Sequence, residues 1–509
     1  MLPRGGSDFR NSRRSQGITN RGDDASSGRR IHYGSRVRTS TVSPIRSQRF
    51  DWLELAVWLL PFAVVASSRL DVNDLAYQVR AGRLMWATGA ILRQDVFTLT
   101  MNGEPWVNQQ WGGQLVFGAL FTILGWQGFV LLRAALVSLA LAMTYRRTRR
   151  GGVGPLAAVG ATIVPAFAAF ALPGSLFLRP QLLALPLFVV VLTAIEGRHR
   201  HPSRTLLVVP ITIIWANLHG SFLLVPMLLL IVTAVDIGRR RRSWRTDLAL
   251  VIATVLAGCV TPWGTATYGY VVALASNDVV RLVAEWQPLW THPAAAGVVA
   301  AVVVMTLVAA VRAPAAGDDV EGLVTMAVLV AVTVSSARFV VWWALFVPPI
   351  VASLFVRAWK GPELRREVAR AAAIGLLAIA TIAGVRAATE SEERSLNDVP
   401  FGITQSLRER PAAARRVFNL WWGSWFEFSL PTSKMFTDTR LELFPGAIWR
   451  DYATVARADP RWDEILARWQ ISAVVIPADW DSPLMDAIRS SPRWTAIYED
   501  EQGSLFVPT

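Results

Sequence analysis

The chain of 509 residues holds a single cysteine, Cys259, so no intramolecular disulfide can form. Its position in an apolar run points to packing. Charge is also scarce: 17% of residues are charged, against about 25% in soluble globular chains. Ten-residue segments of alternating polarity, the mark of a membrane barrel, are missing. So are the internal repeats that mark many transporters. The N-terminal region has no short apolar stretch with a small-residue cleavage site, which argues against a signal peptide.

What is present is apolar length. Runs of about 15–20 residues recur between Trp52 and Ala388, the length a helix needs to cross a bilayer core of about 30 Å. In hydrocarbon the backbone must pair within itself, so these runs predict helices. The formal net charge of +14 does not point to nucleic acid. The basic residues sit in short clusters between apolar runs, the positive-inside pattern.

That pattern orients the chain. Residues 1–50, rich in Arg, Ser and Gly, predict a disordered cytoplasmic tail. A span at 52–68 leads to a large first outer loop, 69–125, in which 111–124 predicts a helix along the interface. A span at 126–145 returns to the cluster Arg146, Arg147, Arg149 and Arg150. Continued alternation gives about 11 spans, with Arg179, His219, the loop 263–292 and Arg338 outside. Residues 389–509 carry more charge and turn residues. The stretches 471–478, 494–500 and 504–509 predict strands and 462–469 a helix. The expected fold is thus a polytopic α-helical membrane domain, 51–388, with a small extracytoplasmic α/β domain, 389–509.

The first outer loop is the most informative stretch. Asp71, Asp74 and Asp95 lie there among Trp and Tyr residues. A carboxylate in low-dielectric surroundings can act as a base; composition alone favours a solvated loop. Arg179, His219 and Arg338 fall at outer helix ends, where ionisable groups are costly and often functional. Arginine suits phosphate oxygens, and snorkelling to the interface is the alternative.

The order of motifs adds to this. Asp71-Val72-Asn73-Asp74 is followed by Gly82 and Gly89, by Gln94-Asp95-Val96-Phe97-Thr98, and by Gly103 through Trp111. The stretch resembles the first outer loop of GT-C membrane glycosyltransferases, among them protein O-mannosyltransferases, lipid A aminoarabinose transferases and many bacterial relatives. Arg179-Pro180-Gln181, Trp215 through Gly220, Glu285-Trp286-Gln287-Pro288, Ala337-Arg338-Phe339 and Lys434 through Arg440 extend the resemblance in the same order.

The resemblance implies a bacterial plasma-membrane enzyme with a cytoplasmic N-terminus. It would be a hexosyl- or pentosyltransferase using a polyprenyl-phosphate sugar donor and a glycan, lipid or protein acceptor. It implies Asp74 as catalytic base, with the family's spacings of 8 and 15 to Gly82 and Gly89; Asp71 is the alternative. Arg179, His219 and Arg338 would bind the donor phosphate, while Asp95, Gln109, Gln110 and Glu285 would organise the loop or the acceptor. One departure stands out. Gln109-Gln110-Trp111 occupies the place where many relatives have His-Glu-Trp, so a charged metal ligand or second acid is missing there and the cofactor is undefined. A non-catalytic scaffold that binds or assembles lipid-linked glycans is the alternative reading.

Overall fold

The computed structural model describes residues 51–312, 320–358, 365–480 and 482–509. The expected basic tail, 1–50, and residues 313–319, 359–364 and 481 lie outside the described residues. Residues 51–509 form one compact unit.

The first helix, Trp52–Ala66, starts where the Asp51 carboxylate accepts the backbone N–H groups of Leu53 and Glu54. Helix Trp111–Arg150 breaks at Gly125, whose φ of 58° favours glycine, so its halves are separate helices. Prolines open many of the others, at Pro155, Pro180, Pro202, Pro293 and Pro348, because an N-terminal turn needs no N–H there.

Among the described residues, Trp111–Arg150, Gly220–Gly238, Pro293–Arg312 and Glu367–Thr389 are long and apolar enough to cross a membrane. A fifth crossing can be made by Ala337–Phe346 and Pro348–Ala358, bent by 54° at their junction. Five shorter apolar helices accompany them: Trp52–Ala66, Pro155–Phe170, Pro180–Glu196, Pro202–Ala216 and Val320–Ser335. The chain is therefore built as a multi-pass membrane protein. Among the described residues, four or five helices qualify as spans by length and composition, where the sequence leads one to expect about 11. Proline starts and early turns cut several apolar runs below about 20 residues.

The first loop is ordered. After a short strand β1 (Leu70–Asp71) comes helix Leu75–Thr88, which ends at Gly89. Gly82 of this helix meets Gln114 and Gly118 of the next so closely that a Cβ at position 82 would stand 1.8 Å from the Gln114 carbonyl oxygen. β1 pairs in parallel with β2 (Leu396–Asn397), setting Asp71 beside Asn397.

Further along are β3 (Arg416–Asn419), β4 (Lys434–Met435), β5 (Ala473–Pro477), β6 (Trp494–Glu499) and β7 (Gly503–Pro508), joined in the order β4-β3-β5-β7-β6. β3 is parallel to β4 and β5, and β7 is antiparallel to β5 and β6. Helices Phe401–Glu409, Gly446–Ala456 and Trp462–Arg468 accompany the sheet. Alternate strand residues face opposite ways. Val417, Val475 and Leu505 join the core that continues into the helical bundle, while Phe418, Val474, Ile476 and Phe506 form a second core with Ile465 and Leu484. The sheet is thus bonded to the bundle through an apolar face rather than tethered beside it.

Candidate active site

Each charged group of interest sits where a helix begins or a short turn forms. Asp74 precedes helix Leu75–Thr88, and its side chain makes no capping bond, which leaves the carboxylate for another partner. Arg179 precedes Pro180 and is extended (φ −126°, ψ 164°), as residues before proline tend to be. His219 precedes the turn Gly220–Leu223, Glu285 lies in the turn Ala284–Trp286, and Arg338 in Ala337–Phe339.

These five groups meet. Asp74 Oδ2 is 2.5 Å from Arg179 Nη2. Arg179 Nη1 donates to both oxygens of Glu285 at 2.6 Å. Arg338 Nη1 donates to Glu285 Oε1 at 2.8 Å, and Arg338 Nη2 lies 3.4 Å from His219 Nε2. The Arg338 guanidinium stacks 4.6 Å from the Trp286 ring centroid. Glu285 thus bridges two arginines and keeps them from repelling each other. Burial raises the Glu285 carboxyl, but Arg179 and Arg338 outweigh it and hold the group below its usual range. Burial works against the charge on Arg179, and Asp74 and Glu285 more than restore it.

His219 is held neutral. Burial comes first, then the positive charges of Arg338 and Arg179, and together they push its pKa well below the usual value. Its tautomer follows from its partners. The backbone N–H of Ser221 donates to Nδ1 at 3.1 Å. Ser221 Oγ, which accepts from Trp215 Nε1, lies 2.8 Å from the same nitrogen. Nδ1 is therefore the acceptor, and in the neutral ring Nε2 carries the hydrogen. Nε2–H and the Arg338 guanidinium are then both donors, and Arg179 Nε is a third, buried and without a bonded acceptor.

Asp71 lies on the same loop but outside this chain of ion pairs. Burial pushes its carboxyl up, with Asp74 adding and the Asn73 N–H opposing, to about 6. A carboxyl in that range suits a general base near neutral pH.

Asp95 goes elsewhere. Its Oδ1 pairs with Arg440 Nη2 at 2.7 Å, and Arg440 also binds Asp438. The Arg440 guanidinium stands 4.5 Å from the Trp106 ring centroid and close to Phe97 and Tyr77. Asp438 and Arg440 thus pair, and Arg440 also ties the first loop to the C-terminal sheet. Glu427, fully buried beside it in Gly423–Ser429, accepts no hydrogen bond at either oxygen and lies against the Asp438 carboxylate. A lone carboxylate in the aromatic run Trp425-Phe426-Glu427-Phe428 was the only sequence signal for it.

Gln109 and Gln110 serve as links. Gln109 Nε2 donates to the Ala216 carbonyl at 2.7 Å, and Gln110 Oε1 accepts from Gln78 Nε2 at 2.7 Å. Trp111 Nε1 donates to Asn217 Oδ1 at 2.8 Å. Gln109 and Trp111 so position the turn that carries His219, Gln110 is tied to helix Leu75–Thr88, and the two amides supply no charged ligand. Among the described residues, the group with metal-ligand spacing is His199, Asp236 and Glu321. Arg198 already stands among those carboxylates, 2.6 Å from Glu321 and 3.4 Å from Asp236. An apolar crevice lined by Val137, Leu141, Ala166, Leu185 and Val341 includes none of the charged site residues.

No family model and no curated protein matches the chain. Solved structures do. Over 83% of this chain and 69% of its own, at 12% identity and a TM-score of 0.55, it is similar to the archaeal oligosaccharyltransferase AglB from Archaeoglobus fulgidus, in complex with an inhibitory peptide and a dolichol-phosphate. A structure of the Archaeoglobus fulgidus oligosaccharyltransferase tethered to an acceptor peptide matches 84% of this chain and 69% of its own, at 12% identity and a TM-score of 0.52. The mycobacterial arabinofuranosyltransferase AftD matches 90% of this chain and 40% of its own, at 17% identity and a TM-score of 0.53. Both proteins are GT-C glycosyltransferases, and this chain has the GT-C fold.

Proposed function

We propose that the chain is a membrane glycosyltransferase that moves a sugar from a polyprenyl-phosphate donor to an acceptor hydroxyl at the outer face of the plasma membrane. The observation that carries this reading is the cluster Asp74–Arg179–Glu285–Arg338–His219, in which a carboxylate stands against three donor groups suited to a phosphate. The dolichol-phosphate bound to the archaeal oligosaccharyltransferase supports a lipid-phosphate ligand for a shared fold.

The chemistry balances with few groups. Asp74 takes the proton of the acceptor hydroxyl. The oxygen attacks the anomeric carbon from the face opposite the phosphate, the carbon–oxygen bond to phosphate breaks, and the lipid phosphate departs with the electron pair. Arg179, Arg338 and the His219 N–H stabilise its growing charge. A phosphate leaves without a strong general acid, so one carboxylate suffices, unlike in glycoside hydrolysis. The Asp74–Arg179 pair fits this sequence. A phosphate drawing on Arg179 weakens the hold on Asp74 and frees it as a base. Asp71 is the second candidate base, favoured by its carboxyl at about 6.

The test is to supply membranes holding the protein with labelled polyprenyl-phosphate sugars, each carrying a hexose or a pentose, and candidate acceptors. Transfer that Asp74→Asn abolishes supports the reading. Binding of donor without turnover by wild type would favour a non-catalytic, lipid-glycan-binding scaffold instead.

A further inference from the structure

β3 and β5 are neighbouring parallel strands, and the chain leaves β3 toward β4 on one side and returns as β5 on the other. In open α/β sheets such a reversal opens a crevice beyond the carboxyl ends of the strands, where ligands bind. Both strands deliver a tryptophan there. Trp421 follows β3 and Trp480 follows β5; their rings stand 6.0 Å apart at a 43° tilt, and each stays 38% exposed. Trp421 is fixed in place, because its Nε1 donates to Asp398 Oδ2 at 2.7 Å while Trp422 Nε1 donates to Oδ1 at 3.1 Å. Both Asp398 (φ 51°) and Trp422 (φ 60°) hold left-handed backbone conformations to allow this, a local cost that structures tend to keep at functional sites.

The platform adjoins the proposed active site. Asp398 directly follows β2, whose Asn397 is the register partner of Asp71, and its charge helps raise the Asp71 carboxyl. We propose that Trp421 and Trp480 form a subsite for a saccharide chain, so that the acceptor of the proposed transfer is a glycan. This rests on the glycosyltransferase reading and names its acceptor class. The electron-rich faces of indoles attract the C–H faces of sugar rings, and the exposed carboxylates of Asp398 and Asp479 accept hydroxyl hydrogens. A membrane anchor fits less well. Interfacial tryptophans turn their N–H toward lipid headgroups, whereas that of Trp421 is spent on Asp398, and the carboxylates would repel lipid phosphates.

The experiment uses the full chain in lipid nanodiscs and a panel of free linear oligosaccharides, of hexopyranose or pentofuranose units. Wild type is expected to bind at least one class, with Trp421→Ala and Trp480→Ala each weakening it about tenfold. Trp290→Ala, at another exposed indole, should bind as wild type. Asp74→Asn should keep this binding although it loses transfer, which separates failure of the subsite from failure of the catalytic reading. Absence of binding by wild type, or wild-type binding by both tryptophan variants, overturns the proposal. So does quenching of these two indoles by brominated lipid, read as the difference from Trp421→Phe and Trp480→Phe.

Discussion

His219 Nε2 and Arg338 Nη2 lie 3.4 Å apart, and the Ser221 N–H at Nδ1 makes both of them hydrogen donors. Two donors cannot satisfy each other, so they share an anionic acceptor well. A hydrogen bond to a charged group contributes about 1.5–3 kcal/mol. His219→Ala and Arg338→Lys should therefore each raise the apparent Kd of a polyprenyl phosphate about 10- to 100-fold, the lysine because it loses the planar fork. Since His219 stays neutral, donor binding by wild type should show no step near the ordinary histidine range that His219→Ala lacks, whatever step the Asp71 carboxyl at about 6 gives in both proteins. A titration of binding against pH checks this, and a histidine step would sink the tautomer assignment.

Asp74 presents a different balance. Removing a positioned base commonly costs about 10²–10⁴-fold in rate, so Asp74→Asn should lower kcat by that much. Donor affinity should hold or improve, because Arg179 is freed of its 2.5 Å partner. The split between kcat and donor Kd is the measurement. If Asp71→Asn shows the larger kcat loss, Asp71 is the base.

Much of this site could be read in the sequence because its members stand at recognisable places. Arg179 precedes a proline, His219 ends the run Trp-Ala-Asn-Leu-His, and Asp74 opens a helix after a turn. Their pairing could not. Glu285 reaches Arg179 across 106 residues and Arg338 across 53, and no local pattern encodes such distances. Asp95 is the converse case. It is grouped with the site by loop membership, yet it bonds Arg440, 345 residues away. Three strands of the C-terminal sheet, β5, β6 and β7, are legible from their apolar and aromatic runs, whereas the short β3 and β4 are not. That one sheet face is continuous with the bundle core is not, because Val417 and Val475 look the same in sequence whichever apolar surface they meet.

Asp71 provides a pH test with a defined sign. Its carboxyl is raised in the folded protein from the ordinary 3.8 to about 6. Folding therefore favours the protonated form. The group is neutral in both states below about pH 3.8, and its penalty grows as pH rises and is complete above about pH 6. An upper bound is about 3 kcal/mol, reduced by partial exposure to solvent. The thermal midpoint of wild type should fall over that window relative to Asp71→Asn. Parallel curves for the two proteins would mean that the Asp71 carboxyl is not raised.

Arg440 is a heavily committed cation outside the site. It is 2% exposed and pairs with Asp95 and Asp438, while Glu427 lies 3.9 Å away. Burial and the neighbouring Asp438 push the Glu427 carboxyl well up, with Arg440 opposing, so that glutamate is protonated and Arg440 balances two charges. Replacing Arg440 by Met would leave Asp95 and Asp438 buried with no counter-ion, a loss of about 3–5 kcal/mol. Glu427→Gln, which mimics the neutral acid, should leave the thermal midpoint close to wild type. Because Asp95 and Tyr77 belong to the first loop, Arg440→Met should also loosen the segment that presents Asp74. Transfer and thermal midpoint should then fall together in Arg440→Met, whereas in Asp74→Asn, where Glu285 still pairs with Arg179, transfer should fall far more than the midpoint. A stable, inactive Arg440→Met protein would instead move Arg440 from the joint into the site.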